Sequence, residues 1–554
     1  MRLSALVALC TFSIAIYGCS SQGHSVYPSA PPSAPPSAPP GLPSYAQKSC
    51  AGESPTALNQ YDQMSAAYLD DATRHPTDNS MGTIVWGTRY YLESLLVAYD
   101  ATGNPKYLDA FLDSGSWVMN LIQTIPVLNA VDPTAPGATG SILAVTGWPT
   151  LNGNFGVPVP VPTPDGKVSL YAQSLTPYGG ADILQVSQQG DGTLQLAWLG
   201  SANQVLQTFK IASLSDLQAL AAQPLIWGQS LARIIPTGLG MPAIAEYRID
   251  SQEKTVWHEQ TSGILLPFAR FLLIAKDHPE IADPDTLAQW ESRILSITSS
   301  YENEFVPDGN GGLRLVNPVW LPNSVAGIDA AADYIFVEAR LRLFLYELTN
   351  DAHHLSIAKG LVGHQRHFHW FVDNHGWLDL QFWPCLFSWN DRASAPAGSI
   401  WDEVQFDPTT PSPAIDASFV ADLFKSAQEY GLQQELGITA FYYRAQQAAF
   451  VDYMVGGHSY SLYGPNGLIR SAFPSLGSTT GDWLIYSSDP FAAAAWVNPD
   501  LSDSAFANVN WNWMLQYGRQ TQGVPIGYFL RAWARSEAAE LRACQASEAV
   551  ESKH

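Results

Sequence analysis

Five stretches of this chain gather the residue types that acid–base chemistry needs. Trp86 and Arg89 place an aromatic face beside a guanidinium suited to clamping a carboxylate, although an Arg lying over an acidic surface has the same signature. Trp257, His258 and Glu259 put an imidazole and a carboxylate side by side at the start of an apolar run, and such a pair can act as acid and base. Glu259 equally suits a helix start, where the dipole stabilises its charge. Asp329, Asp333 and Tyr334 precede a helix carrying Glu338 and Arg340; Asp333 is placed like an N-cap. The densest stretch runs from His375 to Asp416 and includes Asn390, Arg392, Asp402 and Glu403 among Trp389 and Trp401. Paired carboxylates there would suit one group protonating a leaving oxygen while another activates water. The last stretch holds His458, Tyr460, Tyr463 and Arg470, the ingredients of proton abstraction next to a neutralised carboxylate.

Other chemistries lack their signatures. The chain has no Walker loop, no dinucleotide fingerprint before a helix and no nucleophile elbow, so no cofactor is expected. His364, His367 and His369 invite a metal reading. His364 and His367 share a helical stretch with Trp370 and Phe371, without Cys or acidic partners at ligand spacing, so no metal is assigned. With a net charge of −23 and only 27 Lys and Arg, the chain lacks the basic footprint of a nucleic-acid binder. Its 46% hydrophobic and 14% charged content describes a globular protein, and a monomer is expected.

The elements that position these residues are helical hairpins. From Trp86 to Leu112, apolar residues at Tyr91, Leu92, Leu95, Leu96 and Tyr99 have helical spacing; Thr102-Gly103-Asn104-Pro105 makes the turn and a second helix restarts at Lys106. Leu345 to Leu355 repeats Ala98 to Leu108 position by position. Further helices are expected over residues 54–74, 264–275, 284–299 (with Asp283 as N-cap), 331–348, 355–371, 419–430, 437–455, 508–517 and 527–542. Between about 125 and 255 the pattern changes to short β-rich runs at Val168–Ala172, Leu194–Trp198 and Gln204–Phe209, with Gln189-Gly190-Asp191-Gly192 as a hairpin turn. This predicts a small antiparallel insertion followed by a helix from Ser215.

The first 18 residues read as a secretion signal, with Arg2 ahead of an apolar run from Leu3 to Tyr17. Ile16-Tyr17-Gly18-Cys19 resembles the lipobox of bacterial lipoproteins, which implies lipidation at Cys19 and anchoring in the periplasm or at the cell surface; an ordinary cleaved signal is the alternative. Residues 19–46 then form a tether whose Pro-Ser-Ala-Pro repeats favour extended polyproline II. At about 3.1 Å per residue it spans on the order of 80 Å. The folded domain occupies residues 47–545. Cys50 near its start and Cys544 near its end are expected to pair in an oxidising compartment, with no disulfide as the open alternative.

The apolar helix, then Tyr99 and Thr102-Gly103-Asn104-Pro105-Lys106-Tyr107-Leu108, then a second helix resembles the repeat of α/α-toroid carbohydrate enzymes. Trp257 to Phe271 shares that likeness, and the nearest families are glucuronyl C5-epimerases and toroid polysaccharide lyases. The resemblance implies a mainly α fold, an α/α toroid of about six hairpins with a small β insertion. It also implies a substrate cleft at the N-terminal ends of the inner helices, lined by the five stretches above. A polysaccharide is then the expected partner, handled by a uronate lyase or C5-epimerase. An inverting glycoside hydrolase and a non-catalytic glycan-binding lipoprotein are the alternatives. Catalysis would fall to His258, Glu259, Tyr334, Asp402, Glu403, His458 and Tyr460, and substrate binding to Trp86, Arg89, Trp257, Trp389, Asn390, Arg392, Trp401 and Arg470.

Overall fold

The Thr-Gly-Asn-Pro turn folds as its residue types dictate. Helix α2 (Arg89–Thr102) ends at Gly103, whose φ of 64° is left-handed and whose N–H donates to the Tyr99 carbonyl. Thr102 Oγ1 donates back to Ala98 O and accepts from Asn104 N, and Asn104 Oδ1 accepts from Lys106 N, which starts α3 (Lys106–Asn120). The repeat reproduces this bond for bond between α7 (Ala332–Thr349) and α8 (Ala352–Phe368). Asn350 takes the left-handed position at φ 57°, and Thr349 and Asp351 make the same side-chain bonds as Thr102 and Asn104.

The computed structural model describes residues 58–69, 78–79, 82–129, 141–150, 159–174, 182–200, 203–220, 225–227, 230–249, 255–318, 320, 330, 332–368, 370–372, 378–380, 412–440, 442–443 and 525–551. The remaining helices are α1 (Asn59–Leu69), α4 (Leu214–Ala219), α5 (His258–Asp277), α6 (Pro284–Ser300), α9 (Ser412–Glu429), α10 (Gln433–Leu436) and α11 (Pro525–Glu551). Asp283 caps α6 as expected, accepting from Thr286 N. A π-helical turn, Ile84–Thr88, leads into α2.

Among the described residues, five helices form an inner circuit: α11 packs on α2, α2 on α5, α5 on α7, α7 on α9, and α9 returns to α11 through Arg535 and Asp422. All five run the same way. At one end Gly527 of α11 lies so close to the Gly87 carbonyl that any Cβ would collide, while Trp86 meets Tyr334 at the start of α7. At the other end Arg270 of α5 reaches both Asp100 of α2 and Glu429 of α9. Helices α1, α3, α6 and α8 lie outside this circuit; Phe111 of α3 stacks on Phe271 of α5 with ring centroids 4.6 Å apart. One apolar core runs through all of these helices.

The expectation of a mainly α fold is corrected by the sheets. The described residues are 58% helix and 21% strand, which makes this a mixed α/β protein. Between Gln123 and Ile249 lie ten strands: β1 (Gln123–Asn129), β2 (Ser141–Gly147), β3 (Val159–Pro162), β4 (Val168–Ser174), β5 (Asp182–Gln188), β6 (Leu194–Leu199), β7 (Val205–Ile211), β8 (Leu225–Trp227), β9 (Ser230–Pro236) and β10 (Ala245–Ile249). They form a β1–β2 hairpin and two antiparallel sheets ordered β10-β5-β6-β7 and β3-β4-β9-β8. The two four-stranded sheets share a core of their own, with Leu170, Leu184, Leu196, Trp198 and Ile234 buried. Only three of these strands are evident from alternation. Pro126, Pro160 and Pro162 disguise β1 and β3, which lie at sheet edges where a missing N–H is tolerated. Two short hairpins, β11–β12 (Phe305–Pro307 with Leu313–Leu315) and β13–β14 (Trp370–Val372 with Leu378–Leu380), lie after α6 and α8. The expected helix to Phe371 therefore stops at Phe368.

Gly103 has open space around its Cα, so Gly103→Ala tests conformation alone. The substitution is expected to cost about 1 kcal/mol, read as a lower urea midpoint at constant m-value; an unchanged midpoint would refute the left-handed cap.

Candidate active site

The N-terminal ends of α2, α5 and α7 meet through buried polar contacts. Asn79 Oδ1 accepts from Ile84 N and Val85 N at the start of the π-helical turn, and its Nδ2 donates to Gln260 Oε1 in the first turn of α5, 3.1 Å away. A π-helical turn at this point rotates the following residues relative to a regular helix. Trp86, half-buried, lies edge-on to Tyr334 with centroids 5.7 Å apart. Trp86, Tyr334 and the Trp257-His258-Glu259 segment are thus brought to one end of the helical circuit, as expected for residues that start inner helices.

His258 is the first residue of α5 and only 2% exposed. Its Nδ1 lies 2.5 Å from Glu304 Oε1. Tyr301 stacks on the imidazole at 4.6 Å and Trp320 meets it edge-on at 5.1 Å. Among the described residues Nε2 has no hydrogen-bond partner. Burial pushes the Glu304 carboxyl above its usual range and Glu338 adds to the rise, while His258 opposes it. An imidazole with Nδ1 on a carboxylate and Nε2 free is the arrangement of a general base whose tautomer and ring plane are set by its partner. Glu259, the sequence candidate beside it, is buried in the same turn. Trp257 is buried as well, in a small cluster with Val127, Val145, Val256 and Trp320, so its ring packs the β1–β2 hairpin onto α5.

Glu304 and Tyr301 are absent from the five stretches of sequence. They lie at the short 3₁₀ turn after α6, Tyr301 43 and Glu304 46 residues from His258, and no periodicity connects them. The local signal was an acidic turn, Tyr301-Glu302-Asn303-Glu304, running directly into the apolar Phe305-Val306. Acids so placed are carried inward with the strand that follows.

Arg89 lies elsewhere. It is fully buried, its Nε donates to Glu93 Oε1, and its guanidinium sits over the rings of Tyr90 and Phe419. It belongs to a cluster inside the circuit: Arg531 pairs with Glu93, Arg535 with Asp422, and Arg340 lies 3.4 Å from Asp422. Arg89 is therefore placed to hold helices together, a role that residue type alone does not separate from a substrate clamp. Burial would raise the Glu93 carboxyl, but the guanidinium groups of Arg531, Arg89 and Arg340 hold it down at about 2.

Asp402, Glu403, His458, Tyr460, Trp389, Asn390, Arg392, Trp401 and Arg470 lie outside the described residues, as do Cys19 and Cys50. Cys544 on α11 is disulfide-bonded. The other four cysteines all lie outside the described residues, so its pairing with Cys50 remains a proposal. His364 is buried on α8 with Nδ1 3.2 Å from Asp308 Oδ2. Among the described residues no three His, Cys, Asp or Glu side chains converge as a metal site would require, and no helix is long and apolar enough to cross a membrane. Compared with known proteins, the chain matches no family model, no curated protein and no solved structure.

The Glu93 carboxyl makes the acid limb of stability predictable. A carboxyl held at about 2 in the folded state, below its ordinary 4.5, contributes stability that is complete above pH 4.5 and is lost as pH falls toward 2. Glu93→Gln is expected to lower stability at pH 7 by roughly 3 kcal/mol and to flatten the decline below pH 4.5. Denaturant unfolding at pH 7, 4.5 and 3 checks this; a mutant curve parallel to wild type across that window would exclude Glu93 as the linked group.

Proposed function

We propose that this chain is a carbohydrate-active enzyme that acts on a uronate-containing polysaccharide by removing the C5 proton, as a lyase or a C5-epimerase. The observation that carries this reading is the His258–Glu304 pair: Nδ1 fixed at 2.5 Å from a carboxylate, Nε2 unpartnered, at the helix end where Trp86 and Tyr334 also lie. The repeat motifs that resemble toroid carbohydrate enzymes support the substrate class. In the proposed step Nε2 takes the C5 proton and the electron pair moves into the uronate carboxyl group. In a lyase the C4–O bond then breaks, the leaving oxygen takes up a proton and a C4=C5 double bond remains. In an epimerase a proton returns to the opposite face of C5. We assign proton return to Tyr334, and neutralisation of the carboxylate to Asn390, Arg392 or Arg470. Because His258 is buried with Trp320 against its edge, the reaction requires that edge to open when the glycan binds, while Tyr301 stays stacked on the ring.

The test is incubation of the purified protein with uronate-containing and neutral glycans, following the absorbance of unsaturated uronate, reducing ends and solvent deuterium at C5. Turnover on a uronate polymer is expected, with His258→Ala lowering kcat by about 10²–10⁴-fold and Glu304→Gln also lowering it. New reducing ends without absorbance or deuterium uptake would mean hydrolysis and overturn the proton-abstraction reading, and silence on every glycan would leave binding alone.

We also propose secretion followed by lipid anchoring at Cys19, which the sequence pattern supports. Cys19→Ser is then expected to move the protein from the membrane fraction to the soluble fraction; an unchanged distribution would favour an ordinary cleaved signal.

A further inference from the structure

The His258–Glu304 pair does not end at its own hydrogen bond. The Tyr301 ring that stacks on the imidazole is 1% exposed, and its hydroxyl donates to Glu338 Oε2 at 3.0 Å. Glu338 on α7 is fully buried, and its other oxygen, Oε1, accepts from Arg342 Nε at 2.7 Å. Arg342 is also fully buried; its Nη2 donates to the Thr298 carbonyl at 2.9 Å and its Nη1 to Glu302 Oε1 at 3.0 Å. Glu302 Oε2 in turn meets His353 Nε2, on a ring 54% exposed, at 3.0 Å. A continuous chain of contacts thus runs from the protein surface to the face of the buried imidazole.

Both Glu338 oxygens accept from groups that keep their protons. Arg342 is a guanidinium, and burial pushes the Tyr301 phenol well above its ordinary range. Both oxygens of Glu338 are therefore engaged as acceptors deep in the core. A buried ion pair of this kind adds little net stability over apolar residues of the same size. Its geometric effect is specific: it pins the Tyr301 hydroxyl, which fixes the ring plane, which fixes the imidazole. His258 is then held from three sides, by Glu304 at Nδ1, by Tyr301 on its face and by Trp320 at its edge, and Nε2 is left over.

We infer that Glu338 is a positioning residue for His258, acting through the Tyr301 hydroxyl to hold the ring stacked on the imidazole. This rests on the proposed role of His258 as the base. The charged and titratable groups in play are Glu304 and Tyr301 after α6, Glu338 and Arg342 on α7, and Glu259 on the helix of His258 itself. Among these, Glu338 alone holds the hydroxyl of the ring stacked on the imidazole.

NMR of the His258 imidazole in the full chain, with labelled histidine, tests this independently of any substrate. Glu338→Leu removes the acceptor for the Tyr301 hydroxyl, and Tyr301→Phe keeps the stacked ring while removing the hydroxyl that Glu338 holds. Each is expected to speed solvent exchange of the Nδ1 proton by about tenfold. A folded Glu338→Leu variant with unchanged exchange overturns the inference. If that variant fails to fold, Tyr301→Phe decides: unchanged exchange overturns it as well. Should both variants behave as expected while no glycan is turned over, the inference stands and the proposed function falls.

Discussion

Glu93 and Asp422 sit among four guanidinium groups at the centre of the helical circuit, and the placement of everything around them depends on that pairing. Arg89 and Glu93 come from α2, Arg340 from α7, Asp422 from α9, and Arg531 and Arg535 from α11. Charges at this depth are tolerated only when they are paired and hydrogen-bonded. Each helix therefore has one axial position and one rotation at which its charge is met. Apolar packing alone would permit small slips between neighbours, whereas a displaced guanidinium would leave a bare carboxylate. The common level of these residues aligns α2, α7, α9 and α11, and α5 is tied to the same end by Gln260, which accepts from Asn79.

The same physics explains which features were legible in the sequence. Turn chemistry is local, so the Thr102–Pro105 cap, its copy at Thr349–Asp351 and the Asp283 cap are all specified by a few adjacent residues. His258 and Glu259 are marked by the strongly apolar helix they open. Glu304 and Tyr301 are not marked, because pairing between residues 46 positions apart leaves no trace in a single sequence. Arg89 illustrates a second limit: an Arg at a helix start looks the same whether it faces a ligand or a neighbouring helix, and only the positions of Glu93, Tyr90 and Phe419 distinguish the two. The sheets were underestimated for a third reason. Pro hides the alternation of the edge strands β1 and β3, and that of the central β5 is confined to seven residues between Gly-rich segments.

Two kinds of buried polar structure therefore coexist in one core. The central cluster links four helices through ion pairs. The chain from His353 through Glu338 to Tyr301 reaches from the surface to the face of the His258 imidazole. An open nitrogen does not by itself mark a site, since among the described residues both terminal nitrogens of Arg89 lack hydrogen bonds as His258 Nε2 does. The connection to the surface separates the two networks more clearly than residue type does.

The position of α11 has a consequence for how the chain reaches this state. It is the last of the described helices, yet it packs along α2, and Arg531 meets Glu93 across 438 residues of sequence. Until α11 has emerged, Glu93 and Asp422 lack two of their guanidinium partners and the circuit stays open between α2 and α9. Closure of so large a loop is entropically slow, and the apolar faces of the earlier helices stay uncovered in the meantime. The circuit accordingly closes only once Pro525–Glu551 has been made, and a chain truncated before Pro525 would leave Glu93 and Asp422 without Arg531 and Arg535 rather than settle into a smaller version of the same structure.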